Sequence, residues 1–192
     1  MTTESNRVSV LQIAVATLIL LVIVVLLHAE GRILLCSCGF AIWTSDACSS
    51  QTSQQLFDPY SFTHVLHGFL FFWLIALLFR RWTLSRQIWL VLLLEGAWEV
   101  FENTQFVIDK YRTETAALGY QGDTIVNSLG DLTCALAGFL LARKLGLRWS
   151  LLVFVLVEIV LTFAIHDSLL LQILMLVHPV QAIKLWQMCV QP

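Results

Sequence analysis

Charge is scarce in this sequence. Of its 192 residues, 12% are Asp, Glu, Lys or Arg, while 58% are hydrophobic. A water-soluble domain of this length needs a polar surface, and the chain lacks the material for one. The class is therefore integral membrane. The 11 Lys and Arg residues form no basic patch, and no aromatic RNA-binding motif accompanies them, which argues against nucleic acid as a partner. There is no HExxH helix, no GxSxG elbow and no hydroxyl–histidine pair at a known spacing, so the common zincin and serine-hydrolase chemistries have no support. No internal repeat of the inverted-transporter kind is present. The first apolar run ends in LHAEG, which lacks the small-residue site of a cleaved signal. The ILL before Cys36 lacks the small residue of a lipoprotein site. That run reads as an uncleaved anchor.

What the chain does have is apolar runs. Five of them, at about 8–27, 62–79, 87–107, 125–142 and 149–166, approach the ~20 residues a helix needs to cross ~30 Å of hydrocarbon. A sixth, SLLLQILMLV at 168–177, is shorter and is stopped by His178-Pro179. It reads as re-entrant or interfacial, and AIKLWQ after it as lying on the membrane surface, so 168–187 forms a C-terminal segment. The expectation is an all-α, polytopic transmembrane helix bundle. It is a single integral membrane domain, 1–192, with five spans plus a C-terminal re-entrant or interfacial helix; six spans is the alternative.

Basic residues orient the spans. Arg7 precedes the first run, RRWTLSR carries Arg80, Arg81 and Arg86, and ARKLGLR carries Arg143, Lys144 and Arg148. These belong on the cytoplasmic side. The opposite connections hold Arg32, Lys110 and Arg112 among many acids: Glu30, Asp46, Asp58, Asp109, Glu114 and Asp123. The N-terminus is then cytoplasmic, and loops 28–61 and 108–124 face the periplasm of a bacterial inner membrane. Cys36, Cys38 and Cys48 fall on that oxidising side. Cys38–Cys48 is the expected pair, because adjacent-but-one cysteines rarely bridge. A soft metal site using Cys36 and Cys38 is the alternative. Cys134 and Cys189 read as inert.

This orientation brings the intramembrane polar residues to one depth. In SFTHVLHG, His64 and His67 lie three apart, on one helix face. In EGAWEVFENTQF, Glu95, Glu99 and Glu102 share a face, with Trp98 and Asn103 beside it. In DTIVNSLGDLTCALAG, Asp123, Asn127 and Asp131 recur every four residues. His166 and Asp167 end the fifth run at the same level. A charge at a helix centre costs ~2.5–3.5 kcal/mol on insertion scales, so such groups must face one another, a metal or water. The simpler alternative for the glutamates is that they are protonated and bonded to neighbouring helices. Gly130, Cys134 and Gly138, also four apart, offer a face for close packing, and the third run is the expected partner.

The segments CSCGFAIW, THVLHGFLFF, EGAWEVFENTQFVIDKYRTETAALGYQGDTIVNSLGD and LMLVHPVQAIKLWQ resemble a family of uncharacterised bacterial multi-pass inner-membrane proteins. The resemblance covers roughly 31–187 and implies fold and location; it carries no activity. Members of the family tend to have a Gln-His pair in the first outer loop, where this chain has Gln54-Gln55, so the resemblance supplies no loop histidine ligand. The polar pattern is more loosely similar to VanZ-like membrane proteins, an analogy only.

The functional expectation is an outward-facing intramembrane site. His64, His67, Glu99 and Asp131 are the candidate ligands of a divalent metal, Zn or Mn. Glu95, Glu99, Glu102, Asn103 and Asn127 are the candidate catalytic residues, with Glu95 or Glu102 as general base. Arg112, with Tyr111 and Asp123, is placed to bind substrate, Arg112 through a phosphate or carboxylate. The chemistry would be hydrolysis or group transfer on a lipid-linked substrate, with membrane lipids as partners. A proton-coupled carrier and a non-catalytic assembly factor are the alternatives.

Overall fold

The computed structural model describes residues 9–117 and 119–188; Arg7 and Cys189 lie outside them. The described residues form seven helices: α1 (Val10–Ala29), α2 (Ser61–Leu78), α3 (Leu84–Glu102), α4 (Gln105–Glu114), α5 (Ile125–Ala164), α6 (Leu169–Val177) and α7 (Gln181–Gln187). Among the described residues there is no strand. One isolated parallel bridge, Trp43 with Phe57, ties the long loop before α2 to itself.

The helices α1, α2 and α5 are long and apolar enough to cross a membrane, and the protein is membrane-associated through them. Helix α1 shows why most plainly. Ser9 and Gln12 form a reciprocal capping box at its start. Beyond that it is apolar on every side, yet only Ile23 and Leu27 are buried; such a helix needs an apolar solvent. Helix α3 has the length, 19 residues, but carries Arg86, Glu95, Glu99 and Glu102. Helices α6 and α7 have nine and seven residues. At ~1.5 Å per residue they reach roughly 14 and 10 Å, well short of the ~30 Å core.

Two helix boundaries differ from the sequence expectation. The 87–107 run stops at Glu102, because Thr104 starts a new helix: its side chain accepts from the Val107 N–H. The expected spans 125–142 and 149–166 arrive as one 40-residue element broken only at Gly146, with φ 74° and ψ 172°. That backbone region is essentially open to glycine alone, and the chain doubles back there. The first half of α5 runs beside α2 in the same direction: Ser61 meets Asp131 and Phe72 meets Phe139. The second half returns: Trp73 donates to Ser150 Oγ at 2.8 Å and packs on Phe154.

The remaining directions follow from contacts. Gln12 meets Ser85 near the start of both α1 and α3, and Ile23 covers Gly96 further along both, so the two run together. Helix α3 opposes α2, since Ile88 packs in the cluster with Ile75 and Phe79 while Glu95 reaches His64. One end of the bundle therefore collects Arg80, Arg81, Arg86 and Arg143, with Arg143 donating to Gln87. The other end collects the acids and histidines.

The small-residue face of α5 packs against α2 and the preceding loop, not against α3 as expected. A Cβ on Gly138 would lie 2.0 Å from the Val65 carbonyl oxygen, and one on Gly68 2.1 Å from that of Ala135. Gly130 lies under the carbonyl of Leu56. This crossing sets the height of α2 against α5. The loop also closes the start of α5, whose first N–H groups have no intrahelical partner. The carbonyls of Ile33 and Leu34 accept from Ile125 and Val126, and Thr124 Oγ1 accepts from Asn127.

The disulfide expectation is corrected: Cys36 bonds Cys38. A turn across the segment, closed by the Gly39 N–H on the Cys36 carbonyl at 3.2 Å, brings the two cysteines together. Cys48 is not a free thiol, and Cys134 is free.

Candidate functional site

His64 and His67 lie one turn apart at the start of α2, above an N-terminus fixed by Asp58. The Asp58 carboxylate accepts from the N–H groups of Tyr60 and Ser61, at 2.7 and 3.3 Å. Both histidines turn their Nδ1 toward Glu95 on α3. The distances are 2.6 Å from His64, and 3.0 and 3.1 Å from His67 to the two carboxylate oxygens. Glu99 Oε1 lies 3.3 Å from the same His64 Nδ1, and on the far side of that ring Nε2 lies 3.7 Å from Asp131 Oδ2. The other Asp131 oxygen accepts from Ser61 Oγ at 2.9 Å. Glu95 and Glu99 are wholly buried. The edge of Trp98 closes on His67, ring centroids 5.6 Å apart.

The carboxylate nearest both histidines is Glu95, rather than the Glu99 and Asp131 grouped with them in the sequence reading. Glu95, expected to be a deep general base, holds both imidazoles. Glu99 stands beside them with both oxygens buried and, among the described residues, accepting no hydrogen bond of good geometry. Ligand atoms of His64, His67 and Glu95 lie within 4.8 Å of one another, as do those of His64, Glu99 and Glu102. These buried groups have the donors and the spacing to hold a metal ion.

Over this cluster opens a cavity of about 730 Å³, walled by the outer loop, the starts of α2 and α5, the end of α3, α4 and the C-terminal helices. Asp58, His64, His67, Glu102, Asp123, Asp131 and Asp167 all reach it, and among the described residues no Lys or Arg does. Burial, reinforced by the nearby Glu102 carboxylate, raises the Asp123 carboxyl to about 7 against the hydrogen bond from Asn103. Burial raises Asp167 to about 6, opposed by hydrogen bonds from Ser168, Gln172, Tyr60 and Gln187. Tyr111 and Tyr120 are pushed up by burial and then by Glu102 and Asp123 respectively.

Other candidates are engaged in hydrogen bonds around the cluster. Asn103 pairs with Asp123 in both directions: its Nδ2 donates to the carboxylate at 2.8 Å, and its Oδ1 accepts from the Asp123 N–H at 2.7 Å. Asn127 donates to the Gln55 carbonyl at 2.9 Å, anchoring the outer loop. Arg112 is not on the cavity wall; its Nε donates to the Tyr120 carbonyl. Gln55 is buried and accepts from the Ala41 N–H at 2.6 Å, while Gln54 binds the Gly122 carbonyl and reaches the cavity. His166 stacks on Trp186, away from the cluster. Sequence reasoning did not select Asp58 or Tyr60. The Asp-Pro turn before α2 is the signal that would have found them.

The chain matches, over residues 27–189, the family described as "Protein of unknown function (DUF2585)". It is similar to UPF0314 proteins of several bacteria. One from Agrobacterium fabrum is 41% identical over 174 residues, 90% of this chain and 88% of that protein. One from Rhizobium johnstonii is 40% identical, covering 83% of each chain. One from Novosphingobium aromaticivorans is 38% identical, covering 87% of each. No solved structure matches.

Proposed function

The chain belongs to the DUF2585 family, and from its own site we propose that it is a membrane-embedded, metal-dependent hydrolase or transferase acting on the head group of a lipid-linked substrate. The observation that carries this reading is the charge balance of the cluster. Glu95, Glu99 and Asp131 face only two imidazoles, and, among the described residues, Glu99 accepts no hydrogen bond of good geometry. As metal ligands both imidazoles are neutral, so the three carboxylates carry three negative charges, and burying them uncompensated costs several kcal/mol. A divalent cation offsets two of these charges, and a proton on one carboxyl offsets the third.

Two imidazole nitrogens and a carboxylate oxygen suit Zn or Mn. The site residues fit, because His64, His67 and Glu95 already point their ligand atoms at one small region. Such an ion supplies Lewis acidity and a water activated at neutral pH. His64, His67 and Glu95 would hold it. Glu99, without a donor of its own, takes the proton from the nucleophile. Asp123, raised to about 7 on the cavity wall, holds a proton for the leaving group near neutral pH. Among the described residues no Lys or Arg lines this wall, so a bound cation would supply the positive charge that a phosphate there needs.

The same reading places five spans in a bacterial inner membrane, α1, α2, α3 and the two halves of α5. The N-terminus is cytoplasmic and the cavity periplasmic. Its support is the gathering of Arg80, Arg81, Arg86, Arg143, Lys144 and Arg148 at the end away from the cavity. A carrier is disfavoured by the apolar cluster of Ile75, Val91 and Phe139, which lies between the histidines and the basic end. An assembly factor would depend on the outer loop instead, so Cys38→Ser would then abolish function and Glu99→Gln would spare it.

Metal content of the detergent-purified protein tests the proposal. About one Zn or Mn per chain is expected, and it should fall at least tenfold in Glu95→Gln and in His67→Ala while both variants stay monodisperse. A folded wild-type protein that takes up neither metal overturns the metal-dependent mechanism.

A further inference from the structure

A second hollow lies beside this cavity and lacks its charged and polar wall residues. It holds about 310 Å³ between the start of α2 and the returning half of α5, and each residue on its wall is apolar. The two spaces share Ile165. They also lie on opposite sides of one short stretch: Asp58 and Tyr60 face the cavity, Pro59 and Phe62 the groove. Along α5 the groove follows residues 153–165, roughly 18 Å of helix at ~1.5 Å per residue. Leu156 and Val160 are 51% and 61% exposed, so this wall opens sideways onto whatever surrounds the helices. At its upper lip Trp43 and Phe62 meet edge to face, centroids 6.2 Å apart, each about half exposed. Aromatic residues of this kind sit at the level of lipid head groups.

We infer that the groove seats the hydrocarbon chain of an amphiphilic lipid whose phosphate-bearing head group occupies the cavity, the chain entering laterally from the bilayer past Leu156 and Val160. The inference rests on the reading of the cavity as a site for lipid head groups, and it names the part of the substrate that this reading leaves open. A polar space and an apolar space that meet at one residue match the two halves of such a molecule. In a bilayer the groove gains no hydrophobic energy over bulk lipid, since tails are as apolar as its wall. Its work is to align the chain, so that the head group meets the His64–His67–Glu95 cluster in one orientation. Most of the affinity comes from the head group.

The test uses the full-length protein in phosphatidylcholine nanodiscs containing a phosphatidic acid with a diazirine in one acyl chain. After irradiation, labelled sites are mapped by mass spectrometry, and bound Zn and Mn are measured on the same sample. The label is expected to concentrate on 153–165 and Phe62. It should fall about tenfold in Ala164→Trp and in the milder Leu156→Trp, both with metal content unchanged. Label spread evenly over the exposed face of α1 at Leu18, Leu21 and Val25 would overturn the groove, and with metal still bound it would leave the site standing. Label in the groove without bound metal would instead sink the metal reading and keep the lipid seat. A groove protected by a second copy of the chain, seen as a dimer that Leu156→Trp dissociates, would also overturn the proposal.

Discussion

Glu95 has no contact with solvent, and two histidines share its carboxylate. Removing it strips both imidazoles of a buried partner, and breaking a buried ion pair costs ~3–5 kcal/mol. Glu95→Ala should therefore lower the unfolding free energy by about that amount, read as a depressed denaturation midpoint in detergent. A change below ~1 kcal/mol would mean that the histidines find other partners. Asp123 gives a pH signature. Its carboxyl is raised from 3.8 to about 7, so the folded state holds a proton that the unfolded state releases. Its contribution is fully present below pH ~4 and is lost as pH rises to about 7. At ~1.36 kcal/mol per unit the loss is on the order of 4 kcal/mol. In chelator, Asp123→Asn should flatten the fall in stability between pH 4 and 7, and an unchanged slope would contradict the assignment. At this scale the sequence told which residues share a helix face, because spacings of three and four fix that. It could not tell which glutamate meets the histidines. Glu95 and Glu99 lie on the same face one turn apart, and the choice depends on how far α3 slides along α2, which distant contacts decide.

Among those contacts, the glycine crossing of α2 and α5 matters most. Backbone oxygens fill the space that side chains would take at Gly68 and Gly138. Gly68→Ala should destabilise the fold by ~1–3 kcal/mol through overpacking, and it should also loosen the metal site, since His64 and His67 ride on the same turn of helix. Thermal unfolding with parallel metal titration checks both; full affinity with lost stability would separate the crossing from the site. The spacing of Gly130, Cys134 and Gly138 announced such a face but not its partner. Small residues permit close approach to any neighbour; here the backbone of α2 takes the place, while Leu92, Ile23 and Leu27 pack against Ile125 and Leu132 of α5. The break at Gly146 was legible as a basic connection between two apolar runs, though not as a single reversing residue. The disulfide ran against expectation because a general tendency of cysteine spacing is weaker than a local turn.

For the whole molecule, the gathering of acids and histidines at the end opposite Arg80, Arg81, Arg86 and Arg143 was legible from the basic connections. Insertion follows charge before any packing occurs. The roof of the cavity was not. Helices α4, α6 and α7 join through Lys110, which donates to the Leu176 carbonyl at 2.5 Å, and Lys184, which donates to the Thr113 carbonyl. Contacts between such distant segments leave no periodic trace. Zinc K-edge X-ray absorption on the purified, zinc-loaded protein tests the central claim most directly. The account predicts two imidazole nitrogens at ~2.0–2.1 Å and carboxylate oxygen at ~2.0–2.2 Å, with one imidazole lost in His67→Ala. A spectrum with no imidazole scattering, or one that His67→Ala leaves unchanged, would contradict it.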